Sequence, residues 1–283
     1  MYCCGRPLSR RAFLTAAAAA AAEAALLAGG ASRAFAQPHQ NPHPHPQPRV
    51  PVDTIPPLAP RDELTALMPP LPRFIRSGPT TQPRVAITVD DMFTAANADD
   101  VANLLDVAKA KRVKLSFFPT GAALQTHLDS GKGDVWKRVV AEGHEIGNHT
   151  WSHTNVTKLS DAQVRDELSR TRDVLAKVLG DTSYTMRMMR PPGGAGGYVV
   201  GGDPRIQKIN AEFGYSMAMW TIDSNNTAGN QSLADKVVTT AQNGSIGLFH
   251  FATFGEQFFA PMLDRLRNDR KLEPTNITGL FGS

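Results

Sequence analysis

The chain has 283 residues, of which 41% are hydrophobic and 20% charged, a composition typical of a folded globular protein and not of a disordered one. The 30 basic and 26 acidic residues become 26 and 25 without residues 1–36, so no nucleic-acid-binding surface is expected. The two Cys residues, Cys3 and Cys4, suit neither a disulfide framework nor a zinc finger. The length allows one large domain or two small ones.

The first 36 residues have the pattern of a twin-arginine signal peptide. Arg10 and Arg11 precede an Ala-rich, weakly apolar stretch, and 34–36 offers a small-residue cleavage site. A transmembrane anchor is the alternative, but Ala is a poor membrane residue and Glu23 lies in the middle of the segment. We therefore expect export by the twin-arginine machinery to the periplasm or the extracellular space, with no stable membrane anchor after cleavage.

Residues 37–83 hold 14 of the 21 Pro residues and are predicted to form an extended linker, because Pro fixes φ and removes a backbone donor. His39, His43 and His45 could bind a metal ion, but a solvated linker is the simpler interpretation. A short helix is predicted within it at 62–68. The folded domain is expected to begin at residue 84.

From residue 84 onward, strand-like and helix-like segments alternate. Apolar and β-branched runs predict strands at 85–89, 113–118, 186–189, 215–222 and 246–249. Helices are predicted from Asp99, over 135–142, and from a capping box at Ser160 to Gly180. The alternation favours an α/β fold of parallel βαβ units. If these units close like a barrel, catalytic side chains lie at the carboxyl ends of the strands.

Two adjacent carboxylates, Asp90 and Asp91, directly follow the strand at 85–89. Charges of one sign this close repel each other, and one of the two has to be partly desolvated, so the pair is costly for stability. A turn or a helix cap is the alternative interpretation. The pair is a candidate for chemistry at a strand end.

His149 and His153 are four residues apart, so that on one helical turn, or in a helix-like loop, both imidazoles face the same way. Two neutral imidazoles and a carboxylate make a three-ligand zinc site with an open position for water. The pair Asp90 and Asp91 offers such a ligand and a base beside it. An H-x-x-x-H match alone is weak, and a structural role for both His residues is the alternative.

Three more polar residues follow predicted strands. Arg190 precedes a rigid loop of Pro and Gly residues and could orient a carboxylate, or be a solvated surface charge. His250 ends the run 246–249, where a hydrogen-bonded structural His is the common case. Asp223 could orient that imidazole or cap a turn.

In chain order, the Asp pair, H-x-x-x-H, R-x-P-x-G, a strand-end Asp and a strand-end L-x-H resemble the NodB-like polysaccharide deacetylases, a family of carbohydrate esterases. The resemblance covers residues 84–260 and includes the connecting stretches 114–118 and 142–149. It implies a distorted (β/α) barrel of parallel strands with fewer strands than the regular eight. The catalytic domain would then be residues 84–283.

The resemblance also implies roles for individual residues. A divalent metal, zinc before cobalt or nickel, is expected on Asp91, His149 and His153. The general base would be Asp90, which Arg190 would orient. The general acid would be His250, with its pKa tuned by Asp223.

The chain departs from the family pattern at two places. Met92 stands where the family usually has Gly, and a Met–Phe pair is expected to crowd the loop beside the base. Asn226 and Thr227 stand where an Asp–Trp pair is frequent, which alters one wall of the acetyl pocket. The loop 193–202 is also unusually rich in Gly. These changes are expected to affect substrate specificity more than activity.

The function predicted is therefore a secreted, metal-dependent hydrolase that removes acetyl groups from an N-acetylated or O-acetylated glycan. One alternative is a metal-dependent amidohydrolase that acts on another acylated compound at the same site. The other is a glycan-binding protein with little turnover. The three are kept apart because a fold does not fix a function.

Overall fold

The structure, a computed structural model, describes residues 69–223, 230–250 and 256–282, all within one unit that spans Val52–Ser283. The described strands are β1 (Phe74–Ile75), β2 (Arg84–Asp91), β3 (Ser116–Pro119), β4 (Glu145–Ile146), β5 (Met188–Met189), β6 (Ser216–Ala218), β7 (Ile222–Asp223), β8 (Ser245–His250) and β9 (Glu273–Thr275). The described helices are α1 (Asn97–Lys111), α2 (Gly121–Asp129), α3 (Asp134–Ala141), α4 (Asp161–Leu179), α5 (Pro204–Glu212), α6 (Asn230–Thr240), α7 (Glu256–Asn268) and α8 (Ile277–Phe281).

The predicted signal peptide, the helix at 62–68 and the pair Asn226 and Thr227 lie outside the described residues and stay predictions. Among the helices that the structure describes, none is long and apolar enough to cross a membrane.

The described strands form two sheets in which every pairing is parallel. The larger sheet has the order β4-β3-β2-β8-β7, with β9 also paired to β2, and the smaller has the order β1-β6-β5. An isolated parallel bridge between Asn148 and Met189 joins the end of β4 to β5. The parallel α/β architecture predicted from the alternating pattern is confirmed, with the strands in two linked sheets.

The strand β2 lies inside the larger sheet because its sequence suits burial on both faces. Its six central residues, Val85 to Asp90, are all buried, and a near-continuous apolar run is typical of a central parallel strand. The pattern also places one polar side chain, Thr88, inside the protein, fully buried. Its hydroxyl donates to the carbonyl of Gly247 at 2.8 Å.

The helix α4 begins and ends where its sequence predicts. The Ser160 side chain accepts a hydrogen bond from the backbone N–H of Gln163, and the Gln163 side chain accepts one from the backbone N–H of Ser160. The predicted capping box is therefore present. Gly180 ends the helix with φ at 66°, in the left-handed conformation that Gly adopts with little strain. This helix matters for function because Glu167, in its second turn, holds a loop of the candidate site.

The predicted linker boundary at residue 83 differs from the structure. Phe74–Ile75 pairs with β6, and Ile75 is 1% exposed. Arg187 also donates a hydrogen bond to the carbonyl of Pro69. The Pro-rich composition of this stretch favoured a linker, so the two-residue strand was not predicted. The strand forms because Phe74 and Ile75 can bury apolar area against the smaller sheet.

Candidate active site

The carboxyl ends of the parallel strands bring the predicted site residues to one edge of the larger sheet. Asp90 and Asp91 end β2, and Asp90 lies opposite His250, the last residue of β8. Asp223 ends β7 and lies opposite Leu248 on the same neighbouring strand. The polar strand ends therefore meet because parallel strands share one direction, as the sequence predicted.

Asp91, His149 and His153 form a cluster of potential metal ligands. One ligand atom of each residue lies within 4.8 Å of the others. The Asp91 Oδ1 atom is 3.2 Å from the Nε2 atom of His149 and 3.2 Å from that of His153. His149 is 2% exposed, while His153 is 36% exposed, so the cluster is closed on one side and open to a small ligand on the other.

The hydrogen bond of His149 fixes which ring nitrogen carries its proton. Its Nδ1 atom is 2.7 Å from the carbonyl oxygen of Arg190, and since a carbonyl only accepts, Nδ1 donates. In the neutral ring, the Nε2 lone pair then faces Asp91, as in a metal-binding His whose other nitrogen is held by a carbonyl. The buried Asp91 Oδ1 atom has no hydrogen-bond donor. A cation would satisfy both acceptors, so the donor set fits a divalent metal.

Burial and charge act in opposite directions on these groups. Burial works to raise the pKa of Asp91, but His149 and His153 outweigh it and hold that pKa below its ordinary value. Burial works to lower the pKa of His149, whereas the carboxylates of Asp90 and Asp91 raise it. Asp91 is therefore a carboxylate at neutral pH, which is the form that binds a metal.

The two His residues meet through a sharply turned loop, and not through the helical turn or helix-like loop that their spacing suggested. Thr150 and His153 have φ at 63° and 62°, in the left-handed region that residues other than Gly rarely adopt. The carboxylate of Glu167 holds this loop by accepting from the backbone of Trp151 at 2.8 Å and of Ser152 at 2.7 Å. The loop conformation therefore depends on α4, which lies later in the chain.

Asp90 and Arg190 form an ion pair that is sealed from solvent. The Arg190 Nη1 atom donates to Asp90 Oδ1 at 2.7 Å and to Thr88 Oγ1 at 2.6 Å. The side chains of Arg190 and Asp90 are 0% and 3% exposed. The rest of the guanidinium donates to the carbonyls of Ala218 and Met219, each at 3.2 Å. Of the two readings of Arg190 that the sequence left open, the structure confirms the carboxylate partner.

The other oxygen of Asp90 faces the site. Asp90 Oδ2 is 3.8 Å from the Nε2 atom of His149, and the Asp91 Oδ2 atom is 3.7 Å from the Nε2 atom of His250. His250 is 15% exposed. One Asp90 oxygen is therefore fixed by Arg190, while the other lies near the metal cluster, where a proton could be accepted.

Asp223 lies beside an aromatic side chain. The indole of Trp220 donates to Asp223 Oδ2 at 3.2 Å, and the same ring lies 5.6 Å from the guanidinium carbon of Arg190. Lys236 donates to the Asp223 backbone carbonyl at 2.6 Å. The predicted partnership of Asp223 with His250 stays a prediction.

The residue after the Asp pair does not crowd the site in the way expected. Met92 has φ at 57°, but its side chain is 1% exposed and belongs to the hydrophobic core. Phe93, its neighbour, points outward instead. Its ring is 49% exposed and meets the ring of His153 edge-on, with 5.3 Å between the centroids.

Sequence reasoning missed the groups that support the site from behind. Thr88 bridges Arg190 to the sheet, and a polar residue within the apolar run 85–89 was the signal that could have found it. Glu167 lies on the buried side of an amphipathic helix, between Val164 and Leu168, and this position was a second available signal. Both are polar residues at positions where the pattern calls for an apolar one.

Comparison with known proteins gives matches that agree with one another. A family model described as polysaccharide deacetylase matches residues 77–218. A peptidoglycan-N-acetylmuramic acid deacetylase of Bacillus subtilis, PdaA, is 31% identical over 231 residues, 79% of each chain. A peptidoglycan-N-acetylglucosamine deacetylase of Listeria monocytogenes, PgdA, is 29% identical over 172 residues, but the match spans only 33% of that relative's length.

Solved structures with the same fold include PdaA itself, with a TM-score of 0.62 and 24% identity over 74% of this chain and 84% of that chain. A family 4 carbohydrate esterase pseudoenzyme of Bacillus anthracis has a TM-score of 0.61 and 25% identity over 73% of this chain and 68% of that chain. These similarities confirm the predicted fold class.

Proposed function

This chain belongs to the polysaccharide deacetylase family, and we propose that it is a metal-dependent hydrolase that removes acetyl groups from an N-acetylated or O-acetylated glycan. The observation that carries the proposal is the position of the buried Asp90–Arg190 pair beside the cluster of Asp91, His149 and His153. The cluster offers metal ligands, and the pair offers an ionised carboxylate held in one orientation.

In this proposal, Asp91, His149 and His153 hold a divalent ion, with zinc as the first choice and cobalt or nickel as alternatives. Such an ion, when bound, makes a water molecule acidic near neutral pH and polarises a carbonyl group. The protein contributes the orientation of the ligands. The carbonyl of Arg190 fixes the His149 tautomer, and the bonds from Trp151 and Ser152 to Glu167 fix the loop that carries His153.

Asp90 is proposed as the general base. Its Oδ1 atom accepts from Arg190, which holds the group in one orientation and leaves Oδ2 to take a proton from the attacking water. Arg190 is a positioning residue in this scheme, because its guanidinium is fully buried behind Asp90 and does not reach substrate. Its bond to Thr88 ties the base to the sheet.

His250 is proposed as the general acid. It lies opposite Asp90 in the strand register, with its Nε2 atom 3.7 Å from Asp91 Oδ2. Its protonated ring would donate a proton to the leaving amine or alcohol as the bond to the acetyl carbon breaks. The products are acetate and a free amino or hydroxyl group on the sugar. Asp223 is proposed as the residue that orients the His250 ring.

The proposal includes export. The twin-arginine pattern in residues 1–36 supports transport by the twin-arginine machinery and a location in the periplasm or the extracellular space. The listeria and bacillus relatives are named for peptidoglycan, and peptidoglycan is accordingly the first substrate to test.

A glycan-binding protein with little turnover is the second candidate. One solved structure with this fold is described as a pseudoenzyme, so membership of the fold alone does not establish turnover. Against this candidate, the ion pair and the ligand cluster are both complete in this chain.

The test is acetate release from peptidoglycan, chitin oligomers and acetylated xylan by residues 37–283, first stripped with a chelator and then supplied with zinc or cobalt. Metal-dependent release from one of them is expected. The variant Asp90→Asn should lose release while it keeps one bound metal ion. The control Asp99→Asn changes a carboxylate that is 69% exposed and should behave like the unaltered protein.

The two candidates predict different results. Release that survives Asp90→Asn would overturn the assignment of the base. Stoichiometric metal and glycan binding without release from any substrate would favour the binding protein. Release from a small acylated amine but from none of the glycans would favour an amidohydrolase on another compound.

A further inference from the structure

The large apolar side chains that the structure exposes are not scattered over its surface. Among the residues whose side chains the structure describes, 69–223, 234–250 and 257–282, those that are exposed are Phe93, Tyr198, Val199 and Val200. They lie in two loops, one after β2 and one after β5. These loops follow the strands that end in Asp91 and lead into Arg190, so both loops begin at the edge of the sheets that carries the candidate site.

The Tyr198 ring is exposed and yet held in place. It is 63% exposed, and its hydroxyl donates to the carbonyl of Gly193 at 3.2 Å. Its ring meets that of Trp220 edge-on, with 6.3 Å between the centroids. Burial of part of the side chain and the Asp223 carboxylate raise the pKa of Tyr198 above its ordinary value, so the hydroxyl is protonated at neutral pH and can donate to Gly193.

The Gly-rich loop is shaped around this ring. A Cβ atom on Gly194 would lie 2.7 Å from the Tyr198 ring, and one on Gly197 would lie 2.1 Å from the sulfur of Met219. Gly194 also has φ at 70°. The glycines therefore let the backbone approach Tyr198 and the strand end closely, in a way that side chains would block.

The Phe93 ring borders the other part of the site. It contacts His153 in the metal-ligand cluster, whereas Tyr198 contacts Trp220 next to Asp223 and Arg190. The loop that carries Phe93 is anchored by His127, whose Nε2 atom donates to the carbonyl of Thr94 at 2.8 Å. The His127 tautomer is set because its Nδ1 atom accepts from the Trp136 indole at 3.0 Å.

We propose that Phe93 and Tyr198 are specificity-determining residues that bind the sugar rings next to the one that reacts, so that the substrate is a glycan chain and not a single acetylated sugar. This inference rests on the proposed function. Exposing two large aromatic rings to water costs free energy that a bound apolar surface recovers. The C–H face of a pyranose ring is such a surface, and a held ring stacks with little loss of entropy.

The test compares variants that remove a ring with variants that keep it. Tyr198→Leu and Phe93→Leu remove the aromatic face, whereas Tyr198→Phe keeps it and deletes the hydroxyl. Val200→Ala is the matched control in the same loop, because that side chain is fully exposed and has no aromatic face. Each variant is assayed with zinc on N-acetylchitopentaose, on N,N′-diacetylchitobiose and on soluble peptidoglycan strands.

Each Leu variant is expected to raise KM for a long glycan by about 2- to 12-fold, the range of a stacked aromatic contact, with kcat little changed. The disaccharide should be affected less. Tyr198→Phe keeps the ring but loses the hydroxyl that holds it, so it should raise KM less than Tyr198→Leu does, and Val200→Ala should resemble the unaltered protein. The affinity of each long glycan for the protein from which a chelator has removed the metal, measured by calorimetry, should weaken by a similar factor. This second readout does not depend on turnover.

The outcomes separate this inference from the proposed function. If the unaltered protein releases no acetate but binds a long glycan, and Tyr198→Leu weakens that binding, the inference stands and the proposed hydrolase does not. If the protein releases acetate and both Leu variants keep the original KM for the long glycans, the inference is overturned while the hydrolase stands. Absence of both glycan binding and release also overturns the inference.

Discussion

Replacing Arg190 by Met should expose how strongly the Asp90 carboxylate depends on its partner. The substitution keeps an unbranched side chain of similar length but removes the cation from a carboxylate that is 3% exposed. It also removes donors to Thr88 Oγ1 and to the carbonyls of Ala218 and Met219. Breaking a buried ion pair on one side costs about 3–5 kcal/mol, because the remaining charge is left buried and unpaired.

A double-mutant cycle separates the charge effect from lost packing. If the cost of Arg190→Met lies mainly in the unpaired Asp90 charge, the double variant with Asp90→Asn should recover about 2 kcal/mol or more of the loss. Urea unfolding followed by Trp fluorescence gives the free energy of unfolding of each variant. Arg165→Met is the control, since Arg165 pairs with Glu212 at 2.6 Å but both side chains are about 40% exposed, and surface pairs contribute little.

The reasoning would be refuted by a coupling free energy near zero between the two positions. The pair would then act as two independent hydrogen-bonding groups, and Arg190 would lose its assignment as the residue that keeps Asp90 ionised. A large loss of stability in the Arg165→Met control would also count against the argument, because it would show that exposure does not weaken ion pairs in this protein.

Three further predictions follow from single residues. Asp91→Ala should weaken zinc binding by about 100-fold or more, measured by calorimetry, because it deletes one of three ligands; an unchanged affinity would remove Asp91 from the ligand set. Burial lowers the pKa of His144 to about 3, whereas the unfolded chain binds that proton near pH 6.5, so stability is lost as the pH falls below 6.5. His144→Asn keeps an acceptor for the Leu115 amide, which lies 3.0 Å from His144 Nδ1. Between pH 7.5 and pH 5, the free energy of unfolding measured in urea should fall by about 2 kcal/mol less for this variant than for the unaltered protein. An equal fall in both proteins would contradict the lowered pKa of His144. Met92→Gly should lower the free energy of unfolding by about 1–4 kcal/mol, since the lost burial outweighs the relieved strain, and a more stable variant would show the reverse balance.

The sequence was sufficient for the parts of the site that depend on strand direction. Asp90 and His250 meet at one edge because each ends a parallel strand, and period and composition predicted those two strands. Asp223 reaches the same edge differently: the single strand predicted at 215–222 is wrong, because the structure divides it between β6 in the smaller sheet and β7 in the larger. The pairing of Arg190 with a carboxylate was also open to prediction, since a buried Arg at a strand end requires an anion. The ends of α4 were also predicted from local sequence, because Ser160 caps its first turn and Gly180 ends its last.

The sequence was not sufficient where the backbone depends on residues far along the chain. The spacing of His149 and His153 suggested a helical turn or a helix-like loop. The structure instead has left-handed residues in this loop, and the loop is held by Glu167, which lies fourteen residues after His153 in the chain. Strand β1 was missed for the same reason. Phe74 and Ile75 form a strand only because β6 offers an edge more than 140 residues later, and their local composition favours a linker.

The Met at position 92 illustrates how a departure from the family pattern can be decided by magnitudes. A left-handed backbone costs a side-chain-bearing residue about 1–2 kcal/mol, and this cost explains why Gly suits the position. Met92 buries its side chain almost completely in the core, which stabilises by about 1.5–3 kcal/mol. The gain from burial offsets the backbone cost and exceeds it, so the backbone at Asp91 keeps its turn without a glycine. Because the Met92 side chain lies in the core, Phe93 is the residue of the pair that borders the cluster. The departure therefore puts an exposed aromatic ring beside the cluster and leaves the Asp90–Arg190 pair in place.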